Sequence, residues 1–258
     1  MFRNIVITGA SSGIGAALTR LYARPGVTLG LVGRDPVRLA AVAAESRAVG
    51  AATQEGLVDL RDRVALGAFL TGFDAEHPID LLIANAGVLD GRRAGGTLED
   101  VDVARRVVEI NLLGAIDTLH AVLPGMRQRR RGHIVLVSSL AALSPLPDAP
   151  AYSASKAGLL SYGQALRAAV APENVRVSVV CPGYVESAMT ETHIGNHPHK
   201  IGAPAAARLI DSGISRNKPI IGFPRHLYVL SLISPLFPEF VTRLATKGIR
   251  FHVAPKGD

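Results

Sequence analysis

The chain has 258 residues, 48% of them apolar, a single cysteine (Cys181) and a formal net charge of +7. This is globular composition with enough apolar residues for a core that needs no staples, which excludes a disordered chain and, with one thiol, any intramolecular disulfide. The positive charge admits an anionic surface or an anionic ligand as partner, whereas the lack of interleaved aromatics, zinc-type spacing or a helix-turn-helix pattern argues against nucleic acid.

In chain order, NIVIT (4–8) predicts a first strand and leads into a helix over about 13–24. VTLGLV (27–32) precedes a helix over 36–49, and QEGLVD (54–59) precedes one near 61–73. IDLLIAN (79–85) is followed by helical segments over 98–130, and HIVLVSS (133–139) by a helix over 152–170. VRVSVVCPG (175–183) is a sixth strand and PIIGF (219–223) a seventh. Short runs that are apolar on both faces, alternating with helices, are the pattern of parallel strands joined by crossovers. The expected fold is therefore α/β: a Rossmann-type, doubly wound, parallel seven-stranded sheet in three α/β/α layers, forming one domain over 1–258.

Strand signal follows Arg3 at once, with no leader-like segment, and the one cysteine suits a reducing compartment, so a cytoplasmic setting is expected. No apolar run reaches the roughly 18 residues of a membrane span. The longest, LYVLSLISPLF (227–237), is short and contains Pro235. The basic run RQRRRG (127–132) falls at a predicted helix end, where cations suit the negative end of the dipole. Past Pro182 the periodicity weakens. Ligands of open parallel sheets bind beyond the carboxyl ends of the strands, so 183–200, extending to about 215, reads as a substrate cover.

TGASSGIG (8–15) joins the first strand to the first helix. Gly9 permits a tight turn, Gly13 close approach of backbone to a pyrophosphate, and Gly15 close helix packing. The amides around Ser11, Ser12 and Ile14 face the phosphate at a helix N-terminus. An NAD site places a carboxylate at the end of the second strand, to accept from the ribose 2′-OH. Here Gly33 stands there and Arg34 follows, with Arg38 one turn on. Guanidinium groups bind a 2′-phosphate that a carboxylate would repel, so NADP(H) is expected over NAD(H). Asp35 is the competing feature, as a partner for Arg34 or for ribose.

The stretch PAYSASKAGLLSYGQAL (150–166) sets Tyr152 and Lys156 four residues apart, on one helix face. Small neighbours leave room beside them for a ligand. An ammonium near a phenol favours the phenolate, so the Tyr152 pKa is expected below its ordinary value of about 10.

Taken with these pieces, Asp59 in VDL, NAG (85–87), Asn111 in EINLLG, Ser138–Ser139 and PGYV (182–185) give a chain that resembles the short-chain dehydrogenase/reductase family over about residues 2–190. The resemblance implies that Asp59 and Leu60 meet the adenine and that Asn85, Ala86 and Gly87 floor the cofactor site. It implies a tetrad of Asn111, Ser139, Tyr152 and Lys156, with Ser139 chosen over Ser138 for its interval of thirteen residues to Tyr152. Pro182, Gly183, Val185 and Ser187 would edge the nicotinamide. In that scheme Tyr152 transfers the proton, Ser139 holds the carbonyl oxygen, Lys156 also grips the ribose, and Asn111 holds a relay water. The implied assembly is a homodimer or homotetramer acting on a small carbonyl or alcohol.

His193, His197 and His199 lack fixed helical spacing and are read as loop residues, with no metal expected. Cys181 reads as an inert core thiol, and Arg92 and Arg93 as solvated. The C-terminal segment, about 223–258, departs from the family's glycine-rich ending. Leu227, Leu230, Ile233, Leu236 and Phe237 would cover the crevice, form an interface or touch a membrane surface peripherally, and an apolar cover favours a lipophilic substrate. The competing functional readings are a catalytically silent NADP-binding regulator and a nucleotide-sugar epimerase or dehydratase.

Overall fold

The alternation of odd and even residues along each strand decides which layer each side chain enters. A computed structural model describes residues 2–91, 98–186, 193–195, 200–234 and 251–253, with backbone alone for 193–195 and 251–253. Strands β1 (Asn4–Thr8), β2 (Thr28–Gly33), β3 (Ala52–Leu57), β4 (Leu81–Ala84), β5 (Gly132–Val137) and β6 (Val175–Pro182) are joined by helices. These are α1 (Gly13–Tyr22), α2 (Pro36–Ala48), α3 (Arg63–Glu76), α4 (Val101–Val108), α5 (Gly114–Gln128) and α6 (Pro150–Val170). Beyond them lie β7 (His193–Gly195), α7 (Ala203–Ser215), β8 (Ile220–Phe223), α8 (Arg225–Ile233) and β9 (Phe251–Val253).

The main sheet has seven strands in the order β3-β2-β1-β4-β5-β6-β8, all parallel. Ile5 sits opposite Leu29 and Leu81. Ile5, Ile7, Leu29, Leu81, Ile83 and Val135 point into one core with α1, α2 and α7, while Val6, Leu82, Ile134 and Leu136 point into the other with α3, α5 and α6. The strand order reverses direction between β1 and β4, which opens a crevice at their carboxyl ends.

Helix α7 corrects the expected cover. Ala206, Ala207, Ile210 and Ile214 are buried against the α1 side of the sheet, so 203–215 is a core element and not part of a cover. Half of the remaining stretch 183–202, including Ser187, His197 and His199, lies outside the described residues, as do Arg92, Arg93, Leu236 and Phe237. Within it, β7 pairs antiparallel with β9 in a small second sheet. The C-terminal apolar set divides: Leu227 packs with Leu140 and Cys181, whereas Leu230 and Ile233 are exposed.

Segments α4 and α5 run on through a π-helical turn as one helix, Val101–Gln128, long and apolar enough by composition to cross a membrane, with half of its apolar window buried. Val107, Leu119, Val122 and Met126 of it are core residues. The basic run after α5 is individually partnered: Arg127 with Glu173, Arg129 with Asp74, Arg131 with Asp80, and Arg130 with the Pro172 carbonyl.

His133, at the start of β5, is buried and lies 2.9 Å from Ser178 Oγ through Nε2. Ser178 donates to the Lys218 carbonyl, so Nε2 carries the proton and Nδ1 is left buried without a partner among the described residues. Burial first, then Arg176 and Arg167, depress its pKa to about 4. The unfolded imidazole titrates near 6.5, so between those values the unfolded chain binds more protons. Stability is therefore complete above about pH 6.5 and is lost as pH falls towards 4, by on the order of 3 kcal/mol. Thermal denaturation across that range should show the decline, and His133→Gln should flatten it.

Candidate active site

The glycine turn between β1 and α1 is built as the sequence implies. Gly9 and Gly13 have φ of +67° and +52°, a region that glycine enters at no steric cost. A Cβ at Gly15 would collide with the Gly9 carbonyl, so Gly15 packs on the turn itself rather than on the sheet. Ser12 is the N-cap of α1 and makes no side-chain cap bond, which leaves the first amides of the helix directed outward with its positive dipole end. Asn85 closes the other side by donating to the Thr8 and Gly9 carbonyls at 3.0 and 3.3 Å. A glycine-rich backbone turn at a helix N-terminus fits the pyrophosphate of a dinucleotide.

At the end of β2, a Cβ on Gly33 would stand 3.2 Å from Leu39 and 3.4 Å from Ser11 Oγ, so a side chain there would need Leu39 to give slightly. Arg34 is about half exposed and lies 3.5 Å from Asp59. Asp35 does not neutralise it. That carboxylate caps α2 through the Arg38 amide and pairs with Arg38 Nε at 2.7 Å. Asp59 is held chiefly by Arg61, through Nε at 3.0 Å and Nη2 at 2.8 Å, and this pairing keeps its carboxyl far below the usual range. Leu60 is buried beside Gly114.

The tetrad positions converge. Asn111 occupies the π-helical turn Glu109–Leu113, and such insertions re-aim a side chain at functional sites. It is fully buried, accepts from Val88 N and donates to Val88 O, both at 2.8 Å, and reaches Ser155 Oγ at 3.2 Å. Lys156 Nζ donates to the Val137 carbonyl at 2.9 Å and stands 5.8 Å from the centre of the Tyr152 ring. Ser138 donates to the Lys156 carbonyl at 2.7 Å. It thereby fixes the helix, while the Ser139 hydroxyl interacts with the Tyr152 phenol. A Cβ on Gly87 would approach Asn111 Oδ1 at 3.1 Å and Lys156 Nζ at 3.3 Å. The turn at Asn85–Gly87 thus lies directly against Asn111 and Lys156.

The direction of the Tyr152 pKa corrects the sequence expectation. Burial raises it and the Ser139 hydrogen bond only partly offsets this, while Lys156 is itself lowered to about 8 by burial. Desolvation penalises both charged forms, and the lysine points at a backbone carbonyl rather than at the phenol. In the free protein the phenol is the stable form, which is the form that gives a proton.

Pro182 ends β6 opposite Phe223, and Gly183 N donates to the Phe223 carbonyl at 2.7 Å. Val185 is buried and bridges to Ile201. Cys181 is fully buried with its thiol pushed up to about 12, as an inert core residue requires. Val88, Leu89 and Leu146 pack against the apolar cluster that holds Tyr152, while Leu140, Leu143 and Leu227 belong to a separate cluster with Cys181. Sequence reading missed three participants. Tyr184, whose hydroxyl is pushed up to about 12 by burial and by Tyr152 and Asp148, lay within PGYV but was given no role. Arg61, the main partner of Asp59, and Glu99, which bonds to the Ala151 amide, carried no local signal. Among the described residues no group of three or more His, Cys, Asp or Glu side chains is placed to hold a metal.

The family model described as short chain dehydrogenase matches residues 3–196. An uncharacterized oxidoreductase of Myxococcus xanthus (strain DK1622) is 35% identical over 254 residues, covering 96% of this chain and 98% of that one. A short-chain dehydrogenase from Sphingobium yanoikuyae, solved in complex with NADPH, superposes with a TM-score of 0.79 at 27% identity, covering 96% of both chains. One from Mycobacterium paratuberculosis, bound to NAD, gives 0.75 at 24% identity, covering 85% of this chain and 94% of that one.

Proposed function

Since the chain belongs to the short-chain dehydrogenase/reductase family of NAD(P)-dependent oxidoreductases, we propose that it reduces a lipophilic carbonyl compound to the alcohol and prefers NADP(H). The observation that carries the reading is the convergence of Asn111 and Lys156 on Gly87, with the Tyr152 ring 5.8 Å from the Lys156 ammonium, beside a glycine-rich turn that fits a phosphate. Bound there, the nicotinamide supplies the hydride that the carbonyl carbon takes up.

The chain's own residues do the rest. The turn 9–15 holds the pyrophosphate through backbone amides. Tyr152, protonated because it is buried, gives its proton to the carbonyl oxygen as charge develops on it. Ser139 donates to that same oxygen and steadies the charge. Lys156, beside Gly87, grips the ribose hydroxyls, and Asn111 joins Ser155, the residue before Lys156, to the Val88 backbone. Val88, Leu89, Leu140, Leu143 and Leu146 offer an apolar bed, which supports the lipophilic class.

The NADP preference rests on Arg34 and on the missing acid at Gly33. The Arg34–Asp59 pair is long and half exposed, an interaction worth little, so the guanidinium can turn onto a 2′-phosphate. Arg34→Ala should lower kcat/KM with NADPH about 10- to 100-fold, the worth of a charge-assisted contact, and leave NADH turnover within about threefold. Initial rates with both cofactors check this. Equal losses with NADPH and NADH would remove the 2′-phosphate role.

A further inference from the structure

Helix α6 carries Tyr152 and Lys156, yet its first turn has no cap of its own. Its N-cap is Ala149, which has no side-chain acceptor, and Pro150 follows. The Ala151 amide is instead accepted by Glu99 Oε1 at 2.6 Å, from 52 residues upstream. The second oxygen of Glu99 is buried and has no hydrogen-bond partner among the described residues. Burial, then the neighbouring Asp90, hold its carboxyl above the ordinary range, against the pull of the Ala151 amide. A carboxyl group at the positive end of a helix is stabilising, and the bond satisfies one of the orphan donors there.

The same turn is held from a second point. Gly91 lies so close to the Asp148 carbonyl that a Cβ there would collide with it, and would also press on Ala149 at 3.2 Å. Beside it Asp90 is paired with Arg106 of α4 at 2.6 Å. Residues 90–91 and Glu99 bracket the connection that leaves the cofactor floor at 85–87 and enters α4. Gly91 and Glu99 therefore tie this segment to the first turn of the helix bearing the phenol.

Resting on the reductive reading above, we propose that Glu99 is a positioning residue for the reaction. By capping α6 at Ala151 it holds Tyr152, the next residue, in register with the cofactor floor at Gly87. It touches neither substrate nor cofactor. Its effect is geometric, and a misplacement of about 1 Å at a reacting group can cost on the order of a hundredfold in rate.

The test compares Glu99→Ala with Glu99→Gln, which keeps an oxygen acceptor for the Ala151 amide. Each variant is read by amide hydrogen exchange over 150–156, by NADPH affinity, and by kcat and KM for a carbonyl that the wild type reduces. For Glu99→Ala the expected result is faster exchange in that segment and a kcat lower by about 10- to 100-fold. NADPH affinity should stay within about twofold, and Glu99→Gln should behave as wild type. Unchanged exchange or unchanged kcat in Glu99→Ala overturns the proposal. So does a Glu99→Gln that falls as far as the alanine variant, or NADPH affinity lost in step with kcat, which marks general destabilisation. If the reductive reading itself is wrong, the wild type reduces no carbonyl, while the exchange contrast between the two variants still decides the tether.

Discussion

Tyr152→Phe should reduce kcat by about 10²- to 10⁴-fold, the range for removal of a positioned general acid, with NADPH affinity within about twofold of wild type. The ring packs with Val107, Ala149 and Ala151 in an apolar cluster, and phenylalanine fills the same space. Lys156 keeps its bond to the Val137 carbonyl and Asn111 its bonds to Val88, so the cofactor floor is undisturbed. What goes is the phenolic proton donor beside Ser139. The raised pKa of Tyr152 gives a pH signature as well. Carbonyl reduction needs the phenol and should persist through neutral into mildly alkaline pH, failing only above the ordinary phenol value of about 10. Alcohol oxidation needs the phenolate and should climb over the same range. Steady-state rates in both directions against pH check the sign, and a reduction rate that rises towards pH 10 would contradict it.

Asn111→Ala should cost both stability and turnover. The side chain serves the Val88 amide and carbonyl together, from a site with no solvent access. Stripped of partners, two part-buried backbone groups cost up to about 2–5 kcal/mol in all. At about 2–4 °C per kcal/mol for a chain of this size, Tm should fall by roughly 5–15 °C. Turnover should fall as well, because Asn111 Oδ1 stands against Gly87, where Lys156 also arrives. Calorimetry and initial rates read the two effects separately. A variant with wild-type Tm would mean that the Val88 groups find other partners and that the π-helical turn is not held by this side chain.

The parallel sheet was legible because each strand is a short apolar run between helices and the glycine turn marks where β1 ends. The pairing of Tyr152 with Lys156 was legible from helical spacing, and Asn111 only through the family motif. The periodicity of 98–130 does not reveal that one extra residue enters at Glu109–Leu113, since a π-helical insertion shifts the pattern by a single position. Helix α7 carries an i, i+4, i+8 stripe at Ala206, Ile210 and Ile214, which the Pro- and His-rich stretch before it obscured. Strands β7 and β9 are three residues each and far apart in sequence, too short for alternation to show. The Tyr152 pKa went the other way because spacing fixes which face two side chains share, whereas desolvation depends on everything packed around them. The pairings of Arg38 with Asp35 and of Asp59 with Arg61 were open to the same limit, several arginines lying within reach of each acid.

The central claim is that this site reduces an apolar carbonyl with NADPH. The most direct measurement follows the loss of reduced-nicotinamide absorbance, with NADPH and in parallel with NADH, over aldehydes and ketones graded from polar to lipophilic. The account predicts turnover that rises with the apolar size of the carbonyl and is faster with NADPH. NADPH bound tightly with no carbonyl reduced would contradict it and favour a silent nucleotide-binding protein, and equal rates with NADH would contradict the role given to Arg34.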